Sequence, residues 1–248
     1  MRAAETRIGP APAPLRTLSG VTLIRRGTVL LDAVGLDICR GERLVILGPN
    51  GAGKTLLMQI GHRLIRPTAG TVGDEGEGLR EAMVFQRPIL LRRSVLANLL
   101  FAIDHARPRV PAGPSGGRRP AALAALDIVG LAALADRPAR LLSGGEQQRV
   151  SIARAAALQP DLIWFDEPTA NLDPAATAGI ETALDRMHRT GTTCVISTHD
   201  VGQARRIADR VVLMAAGRIL EVTAAADFFE RPATDAGRRY LRGGLLNV

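Results

Sequence analysis

The sequence contains very little lysine, cysteine or aromatic residue. Of its 32 basic residues only one, Lys54, is a lysine, and aromatic residues make up 3% of the chain. With so few aromatic residues, the chain cannot offer the aromatic surfaces on which the bases of single-stranded nucleic acids stack. The two cysteines, Cys39 and Cys194, lie in strand-like apolar segments. We therefore expect two small buried thiols in a reducing compartment, and neither a disulfide framework nor a metal site.

Long hydrophobic runs are also lacking. Runs such as residues 44–47 are far shorter than the ~20 apolar residues that span a bilayer, and residues 1–14 hold no apolar segment typical of a secretion signal. The net charge of +8 suggests a nucleic-acid partner, but the arginines are scattered and alanine is abundant, which favours a compositional bias instead. We expect no membrane span and no nucleic-acid partner.

The order of apolar patterns predicts an α/β fold. The 248 residues suit one α/β domain with a smaller lobe. Strand patterns alternate with helical patterns, which favours a parallel sheet with right-handed crossovers. The predicted strands are 43–48, 80–86, 162–165, 193–197 and 210–215, and the predicted helices are 54–64, 143–158 and 201–208.

The domain organisation follows from where that alternation is interrupted. Residues 1–16 are predicted to be a flexible tail, and residues 17–248 a single domain. Residues 104–120, rich in Pro, Gly and Arg, are predicted to be an exposed loop, and residues 121–136 a helix. The stretch from about 87 to 155 is mostly helical, so we expect it to be a helical subdomain inserted in the core.

One motif predicts a phosphate-binding loop between a strand and a helix. It matches the pattern GxxxxGK[ST] and reads Gly48-Pro49-Asn50-Gly51-Ala52-Gly53-Lys54-Thr55. Its glycines let successive backbone N–H groups point at phosphate oxygens, and the helix adds its positive N-terminal end. Lys54 is expected to reach the β- and γ-phosphates, and the Thr55 hydroxyl to ligate Mg²⁺. A simple glycine turn would not require Lys-Thr at its end, so the motif predicts a nucleotide site.

A pair of acids is expected beside this loop. Asp166 and Glu167 end the apolar strand at 162–165. Asp166 is predicted to hold Mg²⁺ through water, and Glu167 to activate the attacking water. Two acids after a strand are common by themselves, but together with the phosphate loop they indicate nucleotide hydrolysis.

A second motif distinguishes this chain from other nucleotide-binding proteins. Ser143, Gly144 and Gly145 stand at a predicted helix start, where a hydroxyl and exposed N–H groups can bind an anion, within the string Leu142-Ser143-Gly144-Gly145-Glu146-Gln147-Gln148-Arg149. Because the chain already has a phosphate loop, a second anion site is useful if it covers nucleotide bound to another copy. The string resembles the signature motif of the ABC ATPase family, and the resemblance extends over approximately residues 15–230.

The resemblance implies the fold and the remaining site residues. The family's fold is a P-loop NTPase core with a mostly parallel sheet, an N-terminal antiparallel β subdomain and an inserted α-helical subdomain. Gln86 resembles the glutamine that approaches Mg²⁺ and the attacking water, Asp173 the aspartate of the loop that couples the two sites, and His199 the histidine that contacts the γ-phosphate. ATP and Mg²⁺ are the implied ligands, bound in a head-to-tail homodimer where Ser143, Gly144, Gly145 and Glu146 of one copy cover the nucleotide of the other.

One feature departs from the family. The aromatic residue that usually stacks on adenine is missing from residues 23–27. The planar guanidinium of Arg26 is our candidate to stack on the base instead.

The resemblance also implies a transport role. A free-standing single cassette resembles an importer subunit that works with a separate membrane permease, and indirectly with a substrate-binding protein, at the cytoplasmic face of the membrane. Residues 86–95 and Asn98 are expected to contact the permease. Similarity in residues 86–95, 169–173 and 228–232 suggests an oxyanion cargo, tungstate first and then phosphate or molybdate. The alternative is a non-transport ABC ATPase that acts on the ribosome or on DNA.

Overall fold

The computed structural model describes residues 14–74, 78–106, 117–244 and 246. Most of the predicted tail, residues 1–13, lies outside this part of the chain. The first strand begins at Pro14, so the last residues assigned to the tail are extended and paired. No helix of the described residues combines the length and the apolar character needed to cross a membrane.

A six-stranded sheet forms the centre of the molecule, and it is mostly parallel as predicted. The strands are β3 (Arg43–Leu47), β5 (Glu81–Val84), β6 (Leu162–Asp166), β7 (Thr193–Thr198), β8 (Arg210–Ala215) and β9 (Arg218–Ala224). Their spatial order is β5-β6-β7-β3-β8-β9, and only β9, at one edge, is antiparallel. Every residue of β6 and β7 is buried, which is why neither strand shows the alternating apolar and polar pattern of a half-buried strand.

A second sheet is antiparallel and comes from the N-terminal part of the chain. It consists of β1 (Pro14–Arg25), β2 (Thr28–Cys39) and β4 (Ala69–Asp74), in the order β2-β1-β4. Arg26 and Gly27 form the turn between β1 and β2, both with positive φ, which suits the twist of a two-residue hairpin. The expected antiparallel β subdomain is therefore present.

The helices lie on the faces of the central sheet and in the inserted segment. They are α1 (Lys54–Gly61), α2 (Val95–His105), α3 (Arg118–Ile128), α4 (Gly144–Ala156), α5 (Pro174–Arg189), α6 (Val201–Ile207), α7 (Ala225–Glu230) and α8 (Asp235–Leu241). Two short 3-10 turns, Ala132–Leu134 and Ala139–Leu141, precede α4.

Two boundaries in the inserted segment differ from the sequence prediction. The predicted loop at 104–120 already contains the start of α3 at Arg118, while its residues 107–116 lie outside the described part. The helix predicted over 121–136 stops at Ile128, because Gly130 adopts φ 68° and turns the chain. Alanine-leucine periodicity continues past that glycine, so periodicity alone overestimated the helix.

Alternate residues of the central strands build two separate cores. In β3, Val45 and Leu47 face a cluster that includes the inserted helices, whereas Leu44 and Ile46 face a cluster shared with the antiparallel sheet. The indole of Trp164 belongs to the second cluster and is 1% exposed, as expected for a packing residue. The central sheet therefore joins both subdomains while its strand ends remain available for chemistry.

A buried ion network joins the antiparallel sheet to the α/β core. Arg16, 1% exposed, contacts Asp74 at 2.7 Å and Glu81 at 2.7 Å, and it also donates to the carbonyl oxygen of Gly61. Trp164 Nε1 donates to the same Glu81 carboxylate at 3.2 Å. These contacts fix β5, the strand that leads to Gln86, against β1.

Candidate active site

The phosphate loop follows β3 and leads directly into α1. Gly48 has φ 156°, and a side chain there would collide with the carbonyl oxygen of Met214 on the neighbouring strand. Gly53 has φ 100° at the N-cap of α1, and a Cβ there would lie 2.8 Å from Leu31. The two glycines therefore let the loop close tightly between the sheets, and the free N–H groups at the start of α1 face the cavity above it.

Lys54 is the charged centre of this loop. It is 5% exposed, and its Nζ donates to the carbonyl oxygens of Gly48 at 2.8 Å and Pro49 at 3.1 Å. The same Nζ lies 3.3 Å from Glu167 Oε1. The only lysine of the chain is thus held inside the loop rather than in solvent.

Thr55 and Asp166 meet as the sequence predicts. The Thr55 hydroxyl lies 3.0 and 2.9 Å from the two carboxylate oxygens of Asp166, at the end of β6. Asp166 is 5% exposed, and Ser197 Oγ on the adjacent strand β7 donates to its Oδ1 at 2.8 Å. A hydroxyl and a carboxylate are the hard oxygen donors that Mg²⁺ prefers, so this pair fits a magnesium ion.

Glu167 sits at the centre of the polar cluster. It has φ 43°, a left-handed conformation uncommon for a non-glycine residue, and its backbone N–H donates to Ser197 Oγ at 2.9 Å. Its carboxylate lies between two basic groups, with Lys54 Nζ near Oε1 and His199 Nδ1 3.3 Å from Oε2. The side chain of His199 is 55% exposed, so this cluster opens to solvent on the histidine side.

A cavity of about 370 Å³ opens above the phosphate loop. Gln86 and Glu167 line it together with Asn50, Gly51, Ala52, Gly53, Lys54, Thr55 and Leu56. The chain segment at Gln86 is tied to α4, because Gln148 Nε2 donates to the Phe85 carbonyl oxygen at 3.1 Å and Arg154 to that of Ile89 at 2.8 Å.

Ser143 caps α4 as predicted. Its hydroxyl accepts from Glu146 N at 3.3 Å, and the Glu146 carboxylate accepts from Ser143 N at 2.8 Å, which completes a capping box. That backbone hydrogen bond holds the pKa of Glu146 below its ordinary value. Ser143 and Gly144 are exposed, whereas Gly145 is buried against Ala176. Within the described residues of one chain, these positions do not line the cavity of the phosphate loop.

The segment after Glu167 connects α5 with α6. Asp173 caps α5 by accepting from Ala176 N at 2.8 Å. Just before it, the Thr169 hydroxyl exchanges hydrogen bonds with the fully buried Gln203 of α6, the shorter at 2.9 Å. The loop that holds Asp173 and the helix that follows His199 are therefore linked.

Arg26 is another predicted site residue that lies away from the cavity of the phosphate loop. It occupies the exposed hairpin turn, and it is absent from the described residues that line the cavity. Cys39 likewise differs from expectation, since it is only half-buried, whereas Cys194 is fully buried.

Four polar residues that position the site were assigned no role from the sequence. Ser197, Gln148 and Gln203 are buried and bond to the backbone or side chains of the predicted motifs, and the hydroxyl of Tyr240 lies 3.4 Å from the carbonyl oxygen of His199. A polar residue inside an otherwise apolar strand or helix face was the available signal for the first three. No local pattern marks Tyr240, which approaches from the end of the chain.

Comparison with known proteins places this geometry in a family. The family model described as ABC transporter matches residues 31–170. A phosphate import ATP-binding protein, PstB 2 of Natronomonas pharaonis, is 37% identical over 246 residues, covering 92% of this chain and 87% of the relative. The methionine import ATP-binding protein MetN of Leifsonia xyli is 35% identical over 232 residues, covering 88% of this chain and 67% of the relative.

A solved structure supports the same assignment. The ATP-binding cassette MJ0796, a dimer in a post-hydrolysis state bound to ADP and Pi, superposes with a TM-score of 0.73 at 30% identity, covering 85% of this chain and 98% of that chain. The phosphate loop, the paired acids and the signature helix start thus occur in a fold that binds and hydrolyses ATP. The chain belongs to the ABC transporter family, as an ABC-type ATPase with its ATP-binding domain.

Proposed function

We propose that this chain is the ATPase subunit of an importer and drives a separate membrane permease. The observation that carries the proposal is the cluster in which Glu167 lies within 3.3 Å of both Lys54 and His199, beside the Thr55–Asp166 pair. The import relatives support the transport role. In this proposal residues 17–248 act as one ATPase domain, and the helical subdomain of about 87–155 carries the signature serine.

The proposed roles follow from the geometry. When nucleotide binds, Lys54 Nζ leaves the loop carbonyl oxygens and Glu167 and contacts phosphate oxygens instead. The backbone N–H groups of residues 48–55 hold the phosphates. Thr55 and Asp166 hold Mg²⁺ with Gln86 nearby; when bound, the ion neutralises charge on the phosphates. Glu167, released from Lys54, accepts the proton of the attacking water, and His199 contacts the γ-phosphate from its exposed side.

We propose that the complete site needs two copies of the chain. Ser143 and Gly144 are exposed at a helix start and do not line their own chain's cavity, so they are free to cover the nucleotide of a head-to-tail partner. The surface around this helix start is also formed by Gly145, Glu146 and Asp173. The Glu146 carboxylate contributes through the capping box with Ser143. The dimeric ADP-bound cassette MJ0796 is consistent with this arrangement.

The permease contact is proposed at the segment that follows Gln86. Ile89 is 72% exposed, and Phe85 and Phe101 also expose part of their apolar surface. Such a patch beside the site suits a helix of a membrane partner, which would place the chain at the cytoplasmic face of the membrane. A substrate-binding protein would act only through that permease.

For the cargo we propose an oxyanion. The phosphate relative supports this class, but the methionine relative is nearly as similar, and no relative compared above is named for tungstate or molybdate. Our preference for tungstate therefore stays a prediction. The base contact of Arg26 also stays a proposal, and it would require the guanidinium to extend from the hairpin turn over the cavity.

The test is a comparison of Glu167→Gln with wild type. The amide cannot accept a proton, so we expect turnover to fall by about a hundredfold or more while ATP binding persists and a dimer accumulates in ATP. Size-exclusion chromatography with and without ATP measures the dimer. Normal turnover of this variant, or turnover by a monomer, would contradict the proposal. ATPase stimulation of the permease complex by a binding protein loaded with tungstate, molybdate or phosphate then identifies the cargo.

The non-transport alternative is distinguished by binding assays. Salt-sensitive association with ribosomes or DNA would favour it, and co-purification with a multi-span membrane protein would favour the importer.

A further inference from the structure

The final helix brings the sole tyrosine of the chain to the nucleotide site. Tyr240 lies on α8, and its hydroxyl donates to the backbone carbonyl oxygen of His199 at 3.4 Å. Its ring packs against the core cluster on the helical side of the sheet. Burial raises the pKa of Tyr240, and the nearby backbone of Gly48 opposes the rise. The hydroxyl therefore contacts the backbone of His199, the residue predicted to contact the γ-phosphate, on the side of the phosphate loop.

The start of α8 is fixed independently of this hydroxyl. Glu221 on β9 is 6% exposed, and its carboxylate accepts from Ala233 N at 2.8 Å and from both the N–H and the hydroxyl of Thr234. The Thr234 hydroxyl in turn caps α8 by accepting from Gly237 N at 2.9 Å. A Cβ at Gly237 would collide with Glu221, so helix and strand are in close contact. The helix does not need the Tyr240 hydroxyl to stay in place.

His199, by contrast, lies in a short link outside the regular strands and helices. It is the one residue between the end of β7 at Thr198 and Asp200, which caps α6. Its side chain is 55% exposed, and its imidazole reaches Glu167 at 3.3 Å. A donor on its backbone carbonyl oxygen restricts how far this short link can rotate, and so restricts the imidazole.

We propose that Tyr240 is a positioning residue for ATP hydrolysis: from a helix anchored on β9, its hydroxyl restrains the His199 backbone and keeps the imidazole beside Glu167. The proposal rests on the roles given above to His199 and Glu167. It also makes the end of the chain sensitive to the nucleotide, because a ligand that engages His199 or the Gly48 loop changes the surroundings of the phenol.

Steady-state kinetics of Tyr240→Phe test the restraint. The ring and its packing remain, and only one neutral hydrogen bond is lost, so we expect kcat to fall by roughly twofold to tenfold while KM for ATP and the melting temperature stay near wild type. Arg239→Ala, with an exposed side chain on the same helix, is the matched control and should keep the wild-type kcat. An unchanged kcat in Tyr240→Phe would overturn the proposal.

Fluorine NMR gives a readout that a packing role would not produce. The full chain labelled with 3-fluorotyrosine has one resonance, because Tyr240 is the only tyrosine. We expect this resonance to shift with ADP in wild type and with ATP in Glu167→Gln, and to stay fixed in Lys54→Ala, which should not hold the phosphates. A resonance that ignores bound nucleotide would refute the coupling while Glu167-dependent ATPase activity still stood. Absence of any ATPase activity in wild type would refute the proposed function as well.

Discussion

Ser197→Ala is expected to slow ATP hydrolysis, although Ser197 is not one of the predicted site residues. Ser197 is fully buried on β7, donates to Asp166 Oδ1 at 2.8 Å and accepts from Glu167 N at 2.9 Å. One hydroxyl thus fixes both acids at the end of β6. Its second bond also holds Glu167 in the left-handed conformation with φ 43°.

The expected magnitudes follow from these two bonds. A hydrogen bond to a buried carboxylate contributes about 1.5–3 kcal/mol and a neutral one about 1 kcal/mol, and alanine leaves the Glu167 amide without that acceptor. Together these contributions predict a loss of roughly 2.5–4 kcal/mol in the free energy of unfolding. The left-handed backbone of Glu167 costs about 1–2 kcal/mol, and without its restraint the residue can relax. If the activation free energy of hydrolysis rises by the same amount because Glu167 is no longer held in position, kcat falls by roughly tenfold.

The assay is turnover against ATP concentration, combined with urea unfolding of the same samples. Thr193→Val is the matched control, because Thr193 is a fully buried residue at the other end of β7 whose hydroxyl accepts from Gly41 N at 2.9 Å. It should lose about 1 kcal/mol of stability and keep its kcat. If Ser197→Ala keeps the wild-type kcat, or if Thr193→Val loses as much activity, the reasoning is refuted.

Three further predictions concern the rest of the molecule. Arg16→Met should lower the free energy of unfolding in urea by about 3 kcal/mol, because it removes the buried charge that Asp74 and Glu81 share and leaves them only the contacts with Arg63 and Trp164. Partial burial raises the pKa of Asp209, but hydrogen bonds from Arg43 outweigh this effect and leave the pKa below its ordinary value. The pair with Arg43 therefore stabilises the fold fully above the ordinary carboxyl pKa, and this stabilisation is lost as the pH falls through the lowered pKa. The difference in unfolding free energy between wild type and Asp209→Asn should accordingly shrink in acid. Burial raises the pKa of Cys194 to about 12, so a thiol reagent at pH 8 should leave it unmodified until the protein unfolds, and modification of Cys194 in the native protein would contradict the buried position.

The chemistry of the site could be predicted from the sequence because its motifs are local. The phosphate loop and the Ser143 cap are made by residues within a few positions of one another, and their geometry is set by glycine conformations and helix-end hydrogen bonds that short segments determine. The strands that lead to the phosphate loop and to the paired acids were found for the same reason, since their continuous apolar runs are typical of a parallel sheet buried on both faces.

The helix boundaries in the inserted segment could be predicted less accurately from the sequence. Alanine and leucine continue at helical spacing beyond Gly130, and only the left-handed turn at that glycine shows that α3 has ended. Conversely, the proline and arginine content near Arg118 suggested a loop where a helix begins. Alanine and leucine favour a helix on both sides of Gly130, so local propensity does not show where α3 ends, and the helix that forms packs against α2 and α4.

By itself the sequence determined the identity of the reactive groups, because a phosphate loop, a pair of acids and a capped helix start are each encoded in a few consecutive residues. Only the tertiary structure decided which residues outside these motifs contact them. Ser197 lies 31 positions from Asp166, and Tyr240 lies 41 from His199, yet sheet order and the anchoring of α8 bring each pair into contact. Such contacts depend on how strands and helices are arranged over the whole domain, and no local pattern of residue types records that arrangement.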